Sequence, residues 1–480
     1  MKLSELTYGL PLTLPDGTDD PEILGSDITS VTERSGNVKP GGIFVCVRGL
    51  HRDGRDYARE AKERGARFLV SEKPLDGIGI PVISAENARE ALAFLQSRLA
   101  GDPGKRMKLF CVTGTNGKTT VSFLLRSIMK RAGRKVGMIG TVTNGMTTPD
   151  PEELYPLLRT FADDGCDTAV MEASSHALAL GKLAPLAPDY AVFTNLTPEH
   201  LDFHGDMEHY FQAKASLFRK ARTGIVNLDD PYGRVLLSLL PGKAVTYSVL
   251  DDGADFTAKS VCLLGTSGIR YECLSGSRLF RVTSPIPGQF TVPNTLAAVA
   301  AASADGVPPD LIRQAVAGMS GVPGRLERVP IPQNDFAVYI DFAHTPDALE
   351  NVLRAVRGFM TGSQRLILLF GCGGDRDRSK RRRMGAIAAR LTDAVIVTND
   401  NPRSEDPEDI ISEILEGIPE EFPHTVIRDR KEAISYAVSS AVPGDVILLA
   451  GKGHETYEID KTGVHGFSEK ETVLDAARKK

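Results

Sequence analysis

The sequence lacks the features that mark several classes of protein. No apolar run approaches the roughly 20 residues that a membrane-spanning helix needs, and the segment 1–14 has no long apolar core, so no signal peptide is expected. The net charge of −5 over 480 residues argues against nucleic acid as the main partner. There is also no internal repeat and no low-complexity tract. These absences predict a cytoplasmic protein that neither spans a membrane nor binds nucleic acid.

Cysteine is scarce, and its distribution argues against a disulfide scaffold. The six cysteines are scattered without a CxxC pair, at positions 46, 111, 166, 262, 273 and 372. Several lie in apolar strand-like runs, so we interpret them as reduced core residues of a cytosolic protein. An apolar content of 41% and a charged content of 25% are ordinary for a globular protein, and the length predicts two to four domains.

The most informative segment is a glycine-rich turn between a strand pattern and a helix pattern. The apolar run 109–112 precedes the turn, and an amphipathic helix pattern covers 121–129. Backbone N–H groups in such a turn and the positive end of the helix bind phosphate oxygens. Lys118 is expected to contact the outer phosphates of ATP, and the Thr119 hydroxyl to hold Mg²⁺. The ATP-binding candidates in this segment are Gly114, Thr115, Asn116, Gly117, Lys118, Thr119 and Thr120.

This loop departs from the common spacing of phosphate loops. Val112 stands where the usual pattern has a glycine, which predicts a shorter and tighter loop. The alternative is an ordinary glycine-rich turn without a nucleotide. We favour the phosphate loop because Gly-Lys-Thr lies in the required strand–turn–helix context.

A carboxylate ends the strand pattern at 168–172. Glu172 is well placed for Mg²⁺, a hard ion that prefers oxygen ligands. The alternative is a glutamate that caps a helix or forms a salt bridge. Ser174, Ser175 and His176 follow directly, which favours a functional turn.

Three histidines, His200, His204 and His209, fall in the segment 194–214. A zinc site is one interpretation. Spacings of four and five in a segment broken by proline and glycine fit no standard zinc pattern, and no cysteine contributes. We therefore favour one histidine as a ligand of a second metal or of phosphate.

Three blocks of mixed α/β pattern predict three domains, over 1–102, 103–327 and 328–480. The first has strand patterns at 42–47 and 67–70 and a helix pattern at 84–99. In the central block, continuous apolar strands alternate with helices, which predicts a mostly parallel sheet covered on both faces, with 251–285 as an antiparallel edge. The third block repeats the α/β rhythm of a Rossmann-like domain. Its strand patterns are 337–341, 366–370, 394–398 and 446–450, and its helix patterns are 347–358, 380–391, 407–416 and 431–440.

Ligands in parallel sheets bind beyond the carboxyl ends of the strands. Four motif-like segments follow strands of the third block: Asp341-Phe-Ala-His344, Gly371-Cys-Gly-Gly-Asp-Arg376, Asp400-Asn-Pro-Arg403 and Gly451-Lys-Gly-His-Glu455. The basic run 376–383 opens a helix beside acidic neighbours. We interpret it as a solvated face, or as a surface that steers anionic substrates, rather than a nucleic-acid site.

Together these motifs resemble the Mur ligases of peptidoglycan synthesis. The resemblance rests on the segments 114–120, 172–176, 194–200, 204–210 and 341–346. The segments 371–376 and 400–403 narrow it to the members that add diaminopimelate. It covers nearly the whole chain and keeps the family's order of motifs. It implies an N-terminal UDP-binding domain, a central P-loop ATPase domain and a C-terminal amino-acid-binding domain.

The resemblance also implies a reaction, the ATP-dependent addition of meso-2,6-diaminopimelate to UDP-N-acetylmuramoyl-L-alanyl-D-glutamate. The substrate carboxylate attacks the γ-phosphate of ATP, which gives an acyl phosphate and ADP. The amine then forms the amide and expels phosphate. Two anions meet in the first step, so Lys118, Arg325 and Mg²⁺ would supply positive charge.

The family's metal and nucleotide residues map onto this sequence. By resemblance, Thr119 and Glu172 hold one magnesium, and His200 lies at the second. Lys214 matches a lysine that carries CO₂ as N6-carboxylysine, which turns a cation into an anion and supplies oxygens to the metal site. The further nucleotide positions implied by the resemblance are Asn294 at the adenine, Asp341 on the ribose side and His344 nearby.

Residues for the UDP-muramoyl-peptide also follow from the resemblance. In the segment 32–41, Ser35 is kept, whereas Arg34 and Gly36 depart from the family pattern. His51 lies in another uridine-contact segment. The positions that match contacts to the muramoyl-peptide are Thr147, Thr148, Ser174 and Lys182. Lys182 stands where arginine is frequent in the family. It supplies a positive charge but not the bidentate hydrogen bonds of a guanidinium.

The amino-acid substrate is assigned to the motifs of the third block. Arg403 would bind the distal carboxylate of diaminopimelate through two parallel hydrogen bonds, and Glu455 would pair with its ammonium. Lysine lacks that carboxylate and would leave Arg403 unpaired. An unpaired buried charge costs free energy, so lysine would bind more weakly than diaminopimelate. A simple Asn-Pro turn is the alternative. The diaminopimelate candidates are Arg376, Asp400, Asn401, Pro402, Arg403, Gly451 and Glu455.

Two other functions compete with this one. A ligase of the same superfamily could add lysine or act on folate or another peptide, and Arg403 is the feature that discriminates against it. A P-loop ATPase that works as a conformational switch would hydrolyse ATP without a peptide acceptor. Strict dependence of phosphate release on both peptide and diamine separates the ligase from the switch.

Overall fold

The computed structural model describes residues 1–15, 21–49, 52–319, 321–331, 335–362 and 364–480. Two compact units divide the chain. Unit 1 comprises Met1–Tyr247 and Ala297–Val307, and unit 2 comprises Ser248–Leu296 and Pro308–Lys480. Within the described ranges, no helix combines the length and the apolar character that crossing a bilayer requires.

The amino-terminal part of unit 1 is a five-stranded sheet with small helices. Its strands are β1 (Leu12–Thr13), β2 (Val31–Thr32), β3 (Gly42–Val45), β4 (Ala66–Ser71) and β5 (Val82–Ala85). Its helices are α1 (Leu3–Thr7), α2 (Pro21–Leu24), α3 (Ala58–Glu63) and α4 (Ala88–Leu99). Strands β2 to β5 run parallel, and β1 pairs antiparallel with β5. The apolar face of α4 packs on this sheet, because Leu92 and Leu95 join Ile43 and Val45 in one core.

The rest of unit 1 is built on six parallel strands in the order β11-β10-β9-β6-β8-β7. They are β6 (Lys108–Thr113), β7 (Val136–Ile139), β8 (Thr168–Glu172), β9 (Tyr190–Phe193), β10 (Thr223–Asn227) and β11 (Ala244–Ser248). The helices are α5 (Lys118–Arg131), α6 (Thr141–Asn144), α7 (Pro151–Asp163), α8 (Ser175–Ala179), α9 (Leu201–His204), α10 (Met207–Lys220) and α11 (Pro231–Ser238). The order places the carboxyl ends of β6, β8 and β9 side by side.

Unit 2 begins with an antiparallel meander, β12 (Phe256–Leu263), β13 (Ile269–Ser275) and β14 (Arg278–Ser284). Two helices follow, α12 (Thr291–Ala304) and α13 (Pro309–Ala317), and α12 has residues in both units. The meander confirms the antiparallel strands predicted for 251–285.

The carboxyl-terminal sheet of unit 2 has the order β15-β16-β20-β17-β18-β19. Its strands are β15 (Glu327–Arg328), β16 (Ala337–Asp341), β17 (Leu366–Phe370), β18 (Ala394–Val397), β19 (His424–Val426) and β20 (Val446–Ala450). The helices are α14 (Pro346–Phe359), α15 (Ser379–Leu391), α16 (Pro407–Leu415), α17 (Arg430–Ser440) and α18 (Glu469–Lys479), and a hairpin pairs β21 (Tyr457–Asp460) with β22 (Gly463–Gly466). Strand β15 pairs antiparallel with β16, and strands β16 to β20 are parallel. Apolar cores cover both faces.

The fold confirms the predicted α/β class and the mostly parallel sheet. One predicted element is wrong at its start, because the helix expected from residue 84 begins at Ala88. Residues 82–85 instead form β5, and the Asn87 side chain accepts backbone N–H groups of Arg89 and Glu90 to start the helix.

The cysteine prediction is correct for most positions and wrong for one. All six thiols are free, and four are buried, at positions 46, 111, 273 and 372. Cys262 is exposed, because it lies in the outer half of β12, where both faces of the strand are accessible.

Candidate active site

The phosphate loop is a four-residue turn between β6 and α5. Gly114 has φ 148°, and a Cβ there would lie 1.8 Å from Oγ1 of Thr194. Gly117 has φ 87° and leads directly into the helix. Only glycine fits the first position without a clash. Val112 lies within β6, so the short loop predicted from the sequence is confirmed.

Residues after β9 brace this loop. The Asn195 carbonyl accepts the Thr115 N–H at 2.8 Å, and its side-chain oxygen accepts the Asn116 N–H at 2.9 Å. The Thr194 hydroxyl donates to the Asn116 carbonyl at 2.6 Å. Since these bonds run between protein groups on both sides of the loop, the phosphate cradle is preorganised.

Two lysines converge on one carbonyl of the loop. The Gly114 oxygen accepts from Lys118 Nζ at 3.0 Å and from Lys214 Nζ at 2.8 Å. Lys214 is 1% exposed, and its Nζ lies 4.6 Å from the centroid of the Tyr210 ring. Burial, and then the charge of Lys118, lower the pKa of Lys214 to about 6. Lys214 is therefore mostly a neutral amine at neutral pH.

Glu172 lies beside the loop at the end of β8. It is completely buried, and its carboxylate accepts from the Thr119 hydroxyl at 3.1 Å and from the Thr141 N–H at 3.2 Å. Gly140 makes the room, because a Cβ there would lie 2.2 Å from Oε1 of Glu172. The carboxylate faces the start of α5, so the structure brings together the two residues predicted for magnesium.

Two of the three predicted histidines lie in one cluster, together with His176. The His176 ring centroid is 4.8 Å from that of His200 and 5.5 Å from that of His204. Burial, and then the charge of His200, lower the pKa of His176; burial, and then His176, lower the pKa of His204. His209 is exposed and bonds Asp206 instead. Among the described residues, no group of three or more His, Cys, Asp or Glu is arranged to hold a metal ion.

The muramoyl-peptide candidates lie near the same edge of unit 1. The buried Thr148 hydroxyl donates to the Glu172 carbonyl at 2.8 Å and accepts the Ser174 N–H at 3.0 Å. The Thr147 hydroxyl is 3.0 Å from that of Thr141. The Ser174 hydroxyl caps α8. Thr148 therefore orients the chain around Glu172.

The charged candidates of this region meet at Asp150. Lys182 Nζ lies 2.6 Å from Oδ1 of Asp150, and an Arg34 nitrogen lies 3.4 Å from Oδ2. Ser35 follows Arg34 and starts a short 3₁₀ turn. His51 lies outside the described residues. Arg34, which departs from the family pattern, is thus tied to the same carboxylate as Lys182.

Three candidates of unit 2, Arg325, Asp341 and His344, lie around or next to Phe342. The Asp341 carboxylate accepts backbone N–H groups of Leu326 at 2.7 Å and Ala343 at 2.9 Å, and burial raises its pKa. The Arg325 guanidinium lies 5.7 Å from the Phe342 ring, and the exposed His344 ring lies 4.6 Å from it. Asn294 is buried in α12.

The amino-acid candidates lie at the carboxyl ends of adjacent strands of unit 2. Arg403 has a left-handed backbone, φ 53°, and donates from Nη1 to the Gly374 carbonyl at 2.9 Å. A Cβ at Gly373 would lie 2.9 Å from that nitrogen. Within the described part of the chain, no hydrogen bond occupies its Nε or Nη2. Arg376 is exposed beside this loop.

A buried network supports the motif 400–403. Asn401 Nδ2 donates to Oε2 of Glu455 at 2.9 Å, while its Oδ1 accepts from Lys452 Nζ at 3.0 Å. Lys452 also lies 3.4 Å from Oδ1 of Asp400. Pro402 is buried, and Gly451 leaves room for Asp400, because a Cβ at 451 would lie 2.8 Å from Oδ2. No pattern in the sequence indicates that Lys452 is fully buried.

The interpretation of the run 376–383 as a solvated face is wrong for Arg381. Its side chain is 0% exposed, and it bonds Glu405 and Glu413 at 2.9 Å. It also donates to the Gly373 carbonyl at 3.3 Å. The two acidic residues lie outside the run, before and within α16, so they could not be assigned as partners from sequence alone.

Replacing Arg381 by methionine is expected to lower the free energy of unfolding by about 2–3 kcal/mol, because Glu405 loses its cation and Glu413 keeps only Arg378. Urea denaturation measures the change. The exposed neighbour Arg382 provides the matched control, and Arg382→Met should stay within about 0.5 kcal/mol of the parent. Equal losses for both variants would contradict a structural role specific to Arg381.

The fold and this site define a P-loop enzyme of the ATP-dependent ligase class. The chain belongs to the Mur ligase family: residues 112–302 match the Mur ligase middle domain, and residues 324–453 match the Mur ligase glutamate ligase domain. The family consists of ATP-dependent ligases of peptidoglycan precursor synthesis.

Individual relatives are similar over the full chain. The UDP-N-acetylmuramoyl-L-alanyl-D-glutamate–2,6-diaminopimelate ligases of Syntrophomonas wolfei and Clostridium botulinum are 40% and 39% identical. The first alignment covers 100% of both chains, and the second covers 93% of this chain and 94% of the relative. A solved structure of a ligase with the same name is 32% identical, covers 96% of each chain and superposes with a TM-score of 0.72.

Proposed function

We propose that this protein adds meso-2,6-diaminopimelate to UDP-N-acetylmuramoyl-L-alanyl-D-glutamate, with ATP, through an acyl phosphate. The observation that carries the proposal is the presence of the Arg403 guanidinium and the Glu455 carboxylate on neighbouring loops of one sheet edge. The far end of diaminopimelate offers a carboxylate to the first and an ammonium to the second. The names of the similar ligases point to the same acceptor.

The reaction balances in two steps. An oxygen of the substrate carboxylate attacks the γ-phosphorus of ATP, and the bond to the bridging oxygen breaks, so ADP leaves. The amine of diaminopimelate then attacks the acyl carbon; phosphate leaves with the bonding electrons, and the nitrogen loses a proton. Because two anions meet in the first step, we assign Lys118 and Arg325 to neutralise the charge that develops.

Magnesium fits the donor set beside the phosphate loop. A hydroxyl from Thr119 and a buried carboxylate from Glu172, 3.1 Å apart, are hard oxygen ligands. We assign these two residues to one ion and His200 to a second. When bound, Mg²⁺ supplies positive charge to phosphate oxygens. We also assign the loop residues 114–117 and Thr120, in the first turn of α5, to the phosphates; of these, the Thr115 and Asn116 N–H groups donate to Asn195.

Lys214 is proposed to act as N6-carboxylysine. Its neutral Nζ attacks the carbon of CO₂ and loses a proton to water, which leaves a carbamate anion at the position of the amine. A cation there would repel both Lys118 and a metal ion, whereas a carbamate attracts both. The carbamate would then be a third oxygen ligand for magnesium.

The carbamate predicts a dependence on CO₂ and pH. Only the neutral amine adds CO₂, and the lysine protonates as the pH falls through about 6, so carboxylation is present above that pH and lost below it. Enzyme degassed at pH 5.5 should regain activity at neutral pH only with bicarbonate. Labelled bicarbonate followed by carbon NMR measures the carbamate.

The matched control for this experiment lies on the same helix. Lys220 is exposed at the end of α10, so Lys220→Ala should respond to bicarbonate like the parent, whereas Lys214→Ala should lose both the activity and the signal. A parent enzyme whose activity ignores bicarbonate and which shows no carbamate signal would contradict the assignment.

The substrate contacts divide between the two units. In unit 1 we assign Ser35 and His51 to the UDP end and the positions Thr147, Thr148, Ser174 and Lys182 to the muramoyl-peptide. In unit 2 we assign Asn294, Asp341 and His344 to the nucleoside of ATP. The diaminopimelate contacts are assigned to Arg376, Asp400, Asn401, Pro402, Arg403, Gly451 and Glu455.

A competition assay tests the function. Purified protein with ATP, Mg²⁺ and the UDP-muramoyl dipeptide is offered meso-diaminopimelate, L-lysine or L-ornithine, and phosphate release is followed. We expect release only with both the peptide and diaminopimelate. Preference for lysine would identify a ligase of another specificity, and release without an acceptor would identify an ATPase switch.

We further propose the three domains 1–102, 103–327 and 328–480 and a cytoplasmic location. Strands β1–β5, β6–β11 and β16–β20 each fall within one of these ranges, and β15 (Glu327–Arg328) lies at the boundary between the second and the third. ATP as a substrate and six free thiols suit the cytoplasm. The partners are small molecules, and the net charge of −5 argues against nucleic acid.

A further inference from the structure

The side chain of Lys452 is a buried cation within the diaminopimelate site. It is 0% exposed, although it follows Gly451 at the end of β20, where the site opens. Its Nζ donates to Oδ1 of Asn401 and to the Tyr457 carbonyl, both at 3.0 Å, and lies 3.4 Å from Oδ1 of Asp400. An ammonium without solvent must be paired, so these contacts have a strong energetic role.

Lys452 and a backbone N–H together determine which way the Asn401 amide points. The Asn401 Oδ1 accepts from two donors, Lys452 Nζ and the Ile459 N–H at 2.9 Å. A flipped amide would turn its NH₂ group toward both donors, so the Ile459 N–H would lose its acceptor and Lys452 would keep only the Tyr457 carbonyl. Nδ2 is therefore fixed toward Oε2 of Glu455, to which it donates at 2.9 Å.

Asp400 adds a second reason for the cation. Its Oδ1 is buried and forms no hydrogen bond within the described residues, and the nearest cation is Lys452. Removing the ammonium would take away the nearest cation of this carboxylate and would add repulsion between Asp400 and the other acids of the site. The same cation thus orients an amide and balances a carboxylate.

We infer that Lys452 is a positioning residue which, through the Asn401 amide, holds the Glu455 carboxylate where the distal ammonium of the diamino acid binds. This inference rests on the proposed function. Lys452 itself does not contact the substrate, and its effect reaches the amine through two hydrogen bonds in series.

Lys452→Met tests the inference because methionine keeps the length of the side chain and removes the charge. We expect KM for diaminopimelate to rise about 10- to 100-fold, the range for hydrogen bonds to charged groups, with KM for ATP within about twofold. Lys461→Met is the matched control, since Lys461 lies exposed in the turn between β21 and β22, and its kinetics should match the parent. A rise shared equally by all substrates would overturn the inference.

A double-mutant cycle separates positioning from a general structural defect. If Lys452 acts through Glu455, Lys452→Met should add little to Glu455→Gln, whereas full additivity would overturn the inference. If Lys452→Met does not fold, Asn401→Asp replaces it in the cycle: it still accepts from Lys452 and puts a negative charge beside Glu455. If the parent enzyme joins no diamino acid, the proposed function is refuted. If the parent is active and the kinetics of Lys452→Met equal those of the parent, only this inference is refuted.

Discussion

Replacing Arg403 by alanine is expected to lower kcat/KM for diaminopimelate about a thousandfold, while the slow use of lysine stays nearly unchanged. Two charge-assisted hydrogen bonds to the distal carboxylate contribute about 1.5–3 kcal/mol each, and each 1.4 kcal/mol is a factor of about ten. The guanidinium is available for this contact because, among the described residues, its only hydrogen bonds run from Nη1 to the Gly374 and Asn401 carbonyls. Steady-state kinetics with both amino acids measures the change in selectivity.

Two further variants control this experiment. Arg403→Lys keeps the charge but loses the planar fork, so it should fall between the parent and the alanine variant. Arg478→Ala removes an arginine that is 77% exposed on α18 and should leave both kinetics unchanged. Equal loss of diaminopimelate and lysine use in Arg403→Ala would show that Arg403 does not select the acceptor.

Lys118→Met is expected to lower kcat about a thousandfold at saturating ATP. A single preorganised donor at a developing anion contributes a factor of about 10² to 10³, and Lys118 adds a full charge at the phosphate loop. The variant also removes the cation that contributes to the low pKa of Lys214, so that pKa should rise while burial still keeps it below the ordinary value. Stopped-flow phosphate release and the pH dependence of carboxylation measure the two effects.

The control for Lys118 lies on the same helix. Lys130 is exposed in the last turn of α5, so Lys130→Met changes the charge by the same amount away from the loop. Its kcat should match the parent. Normal turnover in Lys118→Met, with ATP binding retained, would show that the transferred phosphate is stabilised by other groups.

Much of the fold could be predicted because several elements carry a strong local signal. The strand patterns 337–341, 366–370 and 446–450 agree with β16, β17 and β20 at both ends, since continuous apolar runs bounded by polar residues mark strands buried on both faces. Short strands such as β7 and β11 were not predicted. β7, Val136–Ile139, has only four residues, and its pairing with β8 rather than its own sequence makes it a strand.

The site was predictable where a residue belongs to a recognisable motif, and not where its burial depends on distant partners. Thr119 and Glu172 are each assigned to Mg²⁺ from their own motifs, the family resemblance places both at one ion, and the structure shows them in contact. The burial of Lys452 and Arg381 was not predicted, because a lysine or an arginine in a polar segment is expected to be exposed. Their partners come from other strands and helices, so only the folded chain reveals them.

The loops that hold the amino-acid candidates come from three distant stretches of sequence, after β17, β18 and β20, and within the described residues they contribute only Cys372 to the two apolar cores of the sheet. A change of the amino-acid substrate therefore requires only a few new side chains in these loops, on an unchanged sheet. Phosphoryl transfer, encoded around residues 114–119, would survive such a change. Evolution of a different cell-wall peptide can thus change the amino acid that is added and keep the ATP-binding site that activates the carboxylate.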